Sequence, residues 1–307
     1  MKRILLPLDG SDFAERALAP ATSLATRLGA ELHLASVVSD LPPIPLASGD
    51  GEIVSRWFDD EKERAEKYLG AVRDKLATSG STTPFSTHVR VGPVARTLVG
   101  IGKEIGADLV LLTTHGRGTW KRAWLGSVAD QLLRLGTFPL LLLPGEEERE
   151  DPFRESDFPR HVLVPLDGSA AAESVFDFLP AVVPRGGAKV TLATVIHQPF
   201  PLSSVYLPHA VTEEALTTER RTQMEKYLTK VAAQLATRGF GKVDTRILDG
   251  EDAAGAVLEL AEAEKVDLIA LSTHGRGGVS RLLLGSVADK IVRGSRHPLL
   301  VAHRPEE

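Results

Sequence analysis
The segment THGRGTWKRAWLGS, from Thr114 to Ser127, sets Gly116 and Gly118 directly after an apolar run and Gly126–Ser127 directly before an amphipathic one. Glycines at such junctions let main-chain N–H groups approach an anion with no Cβ in the way. A helix N-terminus adds unpaired amides and the positive end of its dipole. The chemistry implied is a phosphate cradle made of backbone, to which Arg117, Lys121 and Arg122 could add charge and Ser127 a hydroxyl. A second segment, THGRGGVSRLLLGS from Thr273 to Ser286, offers Gly275, Arg276, Gly277, Gly278, Arg281, Gly285 and Ser286. The competing reading is structural: glycines after strands are ordinary turn residues, and Ser127 and Ser286 would serve as N-caps.

Asp9 and Asp167 each follow a Pro-Leu dipeptide, Pro7–Leu8 and Pro165–Leu166, at the end of a short apolar run. A carboxylate there can accept hydrogen bonds from a ribose or an adenine amine. It can equally form an Asx-turn with the backbone of Gly10, Ser11 or Asp12 and start a helix. His115 and His274 precede a glycine at a strand end with no second ligand at metal spacing, which favours an orienting or turn role. No metal site is expected.

Other chemistries are excluded by what the chain lacks. It has no cysteine, hence no disulfide, thiolate catalysis or Cys-based metal site. There is no G-x-x-x-x-G-K-[ST], no G-x-S-x-G and no H-E-x-x-H, and GRGTWK lacks the third glycine of a dinucleotide fingerprint. A formal charge of −5 without a basic block disfavours nucleic acid as a partner. The apolar run before Asp9 is too short for a signal peptide or membrane span, so the expected location is cytoplasmic, with no membrane partner.

The elements that must position these residues recur along the chain. RILLPLDGSDFAE (Arg3 to Glu15) returns as HVLVPLDGSAAAE (His161 to Glu173), an offset of 158 from Asp9 to Asp167. DLVLLTTHGRG returns as DLIALSTHGRG and LGSVAD returns unchanged, both at an offset of 159. A register held across three separated motifs means duplication of a whole domain. We place the domains at 1–145 and 161–307, with the charged, proline-bearing stretch 146–160 as linker.

In the first copy, Arg3–Leu8, Glu31–Val38, Phe85–Val91, Leu109–Thr113 and Pro139–Leu143 read as strands, and Asp12–Leu28, Glu52–Thr78, Val94–Ile105 and Ser127–Leu135 as helices. The second copy repeats the pattern, with strands near Val162–Leu166, Lys189–Val195, Val243–Leu248, Leu268–Ser272 and Pro298–Ala302. Strand alternating with helix predicts an α/β protein: two tandem doubly wound, Rossmann-like domains, each a five-stranded parallel sheet with helices on both faces. Ligands of such sheets sit beyond the carboxyl ends of the strands, where strand order reverses. Ser39–Gly51 and His197–Ala210, Pro-rich stretches after the second strand of each copy, either connect to the next helix or overhang the crevice as lids. Trp120 and Trp124 stand where Val279 and Leu283 stand in the other copy, and read as apolar packing residues.

With these residues in view, the chain resembles the universal stress protein family in its tandem form. The family's hallmark is similar to G-x-x-G, nine residues, then G-[ST]. Gly116 and Gly126–Ser127 match it, as do Gly275 and Gly285–Ser286. Thr113 and Ser272 stand at the first glycine, where a side chain either crowds the phosphates or tightens the turn. The resemblance implies ATP, with or without Mg²⁺, in the crevice of each copy. By that resemblance Asp9 and Asp167, flanked by Pro7–Leu8 and Pro165–Leu166, contact the adenosine, and main chain of Val37 and Val195 meets the adenine. The phosphates would fall to Gly116, Gly126, Ser127 and Val128, and to Gly275, Gly285, Ser286 and Val287, with Thr114, His115, Arg117 and Gly118, and Thr273, His274, Arg276 and Gly277, also in the nucleotide site. It also implies pairing through the last strands, as an intrachain pseudo-dimer or a homodimer. The expected function is a nucleotide-binding regulatory protein of the stress response with at most slow ATP hydrolysis. The alternatives are a ligand-free interaction scaffold and a true ATPase, the latter weakened because no general base or Mg²⁺-binding carboxylate cluster is evident.

Overall fold
The computed structural model describes residues 1–40, 51–78, 82–114, 125–144, 159–183, 186–196, 210–273 and 284–303. The chain divides into two units, Met1–Asp157 and Phe158–Glu307. The first runs β1 (Arg3–Pro7), α1 (Asp12–Glu15), α2 (Leu18–Leu28), β2 (Glu31–Val38), α3 (Gly51–Thr78), β3 (Phe85–Val91), α4 (Val94–Ile105), β4 (Leu109–Thr114), α5 (Ser127–Leu135) and β5 (Leu140–Pro144). Its strands pair in parallel in the order β3-β2-β1-β4-β5. The second runs β6 (His161–Pro165), α6 (Ala170–Glu173), a 3-10 turn (Ser174–Asp177), α7 (Leu179–Val182), β7 (Lys189–Ile196), α8 (Ala210–Thr237), β8 (Lys242–Asp249), α9 (Ala253–Ala263), β9 (Leu268–Ser272), α10 (Ser286–Gly294) and β10 (Leu299–Ala302). Its order, β8-β7-β6-β9-β10, is again parallel. Strand order reverses between β1 and β4, and between β6 and β9. The fold is therefore the tandem α/β, Rossmann-like architecture that the alternating pattern predicts.

The middle strands bury successive residues over most of their length. Ile4, Leu5 and Leu6 are all fully buried, as are Val162, Leu163 and Val164. Successive strand residues point to opposite faces, so both faces of each sheet are covered. The covering helices contribute residues three and four apart, such as Ala95, Leu98, Ile101 and Gly102 on α4. Gly106 ends α4 in the left-handed conformation, φ 64°. Lys265, at the matching place in the second unit, takes φ 51° without glycine's freedom.

One expected helix is two. The reading Asp12–Leu28 breaks after Glu15 because Pro20 has no N–H to give Arg16 and its ring crowds that carbonyl. Arg16 and Ala17 instead donate to Phe13 and Ala14, three residues back. Pro180 stands at the start of α7 and goes with the same interruption in the second unit. Prolines also trim strand starts: β5 begins at Leu140 and β10 at Leu299, because Pro139 and Pro298 serve the ladder only as acceptors, from Val110 and Ile269.

The two copies solve one packing problem differently. A Cβ built on Gly102 would lie 2.7 Å from the Phe138 ring. The matching residues of the second unit are Ala261 and His297, a larger helix residue and a smaller ring, both buried. Gly102→Ala is expected to lower stability by about 1–3 kcal/mol through overpacking. Phe138→Leu in the same chain should restore part of the loss in urea denaturation.

Candidate functional site
Parallel strands bring the ends of β1, β2 and β4 to one edge of the first sheet, and those of β6, β7 and β9 to one edge of the second. Beyond β1, Leu8 is buried and its N–H donates to Ala35 on β2, 2.8 Å away. Asp9 follows, with Oδ1 accepting from the Ser11 amide (3.0 Å) and hydroxyl (2.6 Å). Ser11 Oγ in turn accepts the Ala14 amide at 3.1 Å and caps α1. Asp167, Ser169 and Ala172 repeat these bonds at 2.9, 2.6 and 3.1 Å. Gly10 and Gly168, at φ 79° and 83°, make the turn possible. Of the two readings of these aspartates, the Asx-turn is therefore formed, and it engages one oxygen of each carboxylate. Asp9 itself is exposed.

The sequence reading missed a tyrosine beside this turn. Tyr227 on α8 donates its hydroxyl to Glu173 Oε1 at 3.0 Å. Tyr68 on α3 occupies the same place in the first unit, with its hydroxyl oxygen buried. Burial and the Glu15 carboxylate push its ionisation well above the ordinary range, so the phenol stays protonated. The signal was present, since Tyr68 and Tyr227 stand 159 residues apart, the offset of the glycine motifs.

Thr113 and Ser272 turn toward the segment after the first strand of their unit. Thr113 Oγ1 donates to the Phe13 carbonyl (3.3 Å), and Ser174 Oγ donates to Ser272 Oγ (3.2 Å). These hydroxyls tighten the junction. Thr114 Oγ1 donates to the Leu143 carbonyl at 3.3 Å. In the second unit the Thr273 carbonyl accepts the Gly285 N–H at 2.9 Å, which ties the start of α10 to the end of β9. His115, Gly116, Arg117 and Gly118, with Lys121 and Arg122, lie outside the described residues. So do His274, Gly275, Arg276, Gly277, Gly278 and Arg281, and most of both Pro-rich connectors.

The helices that follow depart from one expectation. Gly126 (φ −59°, ψ 150°) and Gly285 (φ −57°, ψ 145°) are the N-caps of α5 and α10, while Ser127 and Ser286 are the first helical residues and exposed. The reading of these serines as N-caps is thereby corrected. No side chain caps either helix. The first backbone bonds are Asp130 N–H to Gly126 and Asp289 N–H to Gly285, at 2.9 and 2.8 Å. The amides of residues 127–129 and 286–288 therefore have no acceptor within the helix. A Ser, Thr or Asp at the cap would engage one of them; glycine leaves them for a ligand.

Val37 and Val195 lie near the carboxyl ends of β2 and β7, half-buried, in register with Arg90 and Leu248. Each unit thus brings to one edge an aspartate turn, the end of its second strand and a helix start whose first amides have no acceptor within the helix. Among the described residues no group of three or more His, Asp or Glu could hold a metal ion. None of their helices is long and apolar enough to cross a membrane.

The model of the universal stress protein family matches residues 1–144 and again 159–303. The chain belongs to the universal stress protein family, in tandem form. A universal stress protein of Mycolicibacterium smegmatis is 26% identical over 305 residues, spanning 97% of this chain and 96% of that one. One from Mycobacterium tuberculosis is 27% identical over 321 residues, spanning 99% and 96%. Among solved structures, a universal stress protein from Archaeoglobus fulgidus superposes with a TM-score of 0.70 at 20% identity, over 99% of this chain and 98% of that chain. That likeness supports the fold.

If the Ser11 and Ser169 hydroxyls hold these turns, Ser11→Ala and Ser169→Ala each cost about 1 kcal/mol. Thermal unfolding should show similar losses for the two, and an undisturbed midpoint in both would contradict the capping role.

Proposed function
We propose that this universal stress protein binds an adenine nucleotide, ATP foremost, at the carboxyl edge of each sheet, and acts as a regulator in the stress response rather than as a fast enzyme. The observation that carries the reading is the pair of glycine-capped helices, α5 and α10, whose first-turn amides have no acceptor within the helix and stand beside the strand-order reversal. Phosphates would rest on Gly126, Ser127 and Val128 in one unit and on Gly285, Ser286 and Val287 in the other. Gly116 and Gly275 would complete the cradles. Asp9 and Asp167 would offer a carboxylate to the adenosine, and the main chain at Val37 and Val195 would meet the adenine. These donors fit a nucleotide. A Mg²⁺ ion would ride on the phosphates, since no carboxylate cluster among the described residues offers it a cage of its own. The scaffold reading draws on the Asx-turns, which give Asp9 and Asp167 a structural task whether or not a ligand binds.

The cap geometry supplies the test. Calorimetry of ATP with Mg²⁺ should show two equivalents bound with Kd on the order of micromolar. Gly126→Asp and Gly285→Asp place a carboxylate where it caps the helix and repels phosphate. Each should weaken its own site by about tenfold or more, with the unfolding temperature unchanged or raised. Absence of binding to nucleotide-free wild type would leave the scaffold reading.

A further inference from the structure
The first unit carries a polar cluster at the opposite end of its sheet from the nucleotide edge. His33, on β2, is 5% exposed, and its Nδ1 lies 3.0 Å from Nε2 of His88 on β3. The rings stack with centroids 5.2 Å apart. Glu31 Oε2 stands 3.4 Å from His33 Nε2, and Glu31 Oε1 accepts the Ser86 hydroxyl at 2.6 Å. Arg3 on β1 also faces His33. Arg90 on β3 and Glu104 on α4, themselves 3.5 Å apart, face His88, as does Glu31.

The geometry restricts the protons. A carboxylate facing His33 Nε2 favours a proton on that nitrogen, leaving Nδ1 to accept from His88 Nε2–H. One further proton can be taken by His88 at Nδ1 with that hydrogen bond intact. A second, on His33 Nδ1, sets two N–H groups against each other across 3.0 Å. No tautomer relieves that clash. We propose that His33 and His88 form a proton-responsive clasp between β2 and β3, which keeps the strands joined through one added proton and opens at the second.

Two physical terms set where this happens. Burial disfavours the charged form of both imidazoles and pushes both below the ordinary histidine range. Glu31 partly offsets this at His33, and Arg90 adds to it at His88. An unfolded chain then takes up protons before the folded one. The clasp's stability is fully present above about pH 6.5 and is lost as pH falls toward the folded values.

The second unit holds Thr191 and Arg246 at the matching positions, neither of which is an imidazole. Among the buried histidines of that unit, His161 holds Thr191 Oγ1 at 2.8 Å and is also pushed down by burial. It reports on β6 and β7. A residue-resolved readout therefore separates the two.

Amide hydrogen exchange by NMR tests the clasp. Protection factors of β2 and β3 should fall by about tenfold or more between about pH 7.5 and about pH 5.0 in the wild type. They should hold steady in His33→Thr/His88→Arg, which installs the residues of the second unit. His88→Gln guards against misfolding of that pair: its amide donates to His33, takes no proton, and can turn its oxygen to a protonated His33 Nδ1, so protection should fall less in acid than in the wild type. Unchanged wild-type protection at low pH, or an equal fall in His88→Gln, would overturn the proposal.

Discussion

Parallel pairing is the constraint on which the rest depends. A parallel strand cannot follow its neighbour through a tight turn, so each must be reached by a crossover, and every strand then ends at the same edge. In each unit the chain leaves that edge through a loop and returns through a helix. Asp9, Val37, Thr114 and Gly126 are distant in sequence, yet they follow or end strands that run side by side. Where strand order reverses, the helices on either side diverge and leave room for a ligand. The aspartate turn and the glycine-capped helix are local devices. They become a site because the sheet aims them at one edge.

The duplication acts as an experiment within one chain. Both units keep the Asp-Gly-Ser turn with nearly the same hydrogen-bond lengths, a tyrosine near the first helix, and a Gly-Ser helix start. They differ where packing has more than one solution: Gly102 and Phe138 beside Ala261 and His297, and Gly106 beside Lys265 at a left-handed helix end. The polar clusters at the amino end differ also, histidines in one and a Lys189–Glu264–Arg246 ion pair network in the other. The strand-end devices are thus the more uniform part of each unit.

Much of this was legible in the sequence because it rests on local rules. Apolar runs, Gly stops and the repeat offset pointed to the strand positions and the fold class, and the glycine motifs pointed to the helix starts. Other features depend on neighbours that linear reading does not supply. Ser127 resembles an N-cap in isolation, but Gly126 already holds the extended conformation that the cap requires. The break after Glu15 follows from Pro20, four residues beyond Arg16. The bond from Thr113 to the Phe13 carbonyl depends on where the segment after β1 folds back. The contact of His33 with His88 needed the β2–β3 register, which no short-range pattern specifies.

The central claim is that nucleotide phosphates rest on the first turns of α5 and α10. The most direct measurement is an amide chemical-shift titration with ATP and, separately, with adenosine. The account predicts that ATP moves the resonances of residues 127–129 and 286–288 together with those near Asp9 and Asp167, while adenosine moves only the latter set. ATP shifts that leave both helix starts untouched would contradict it.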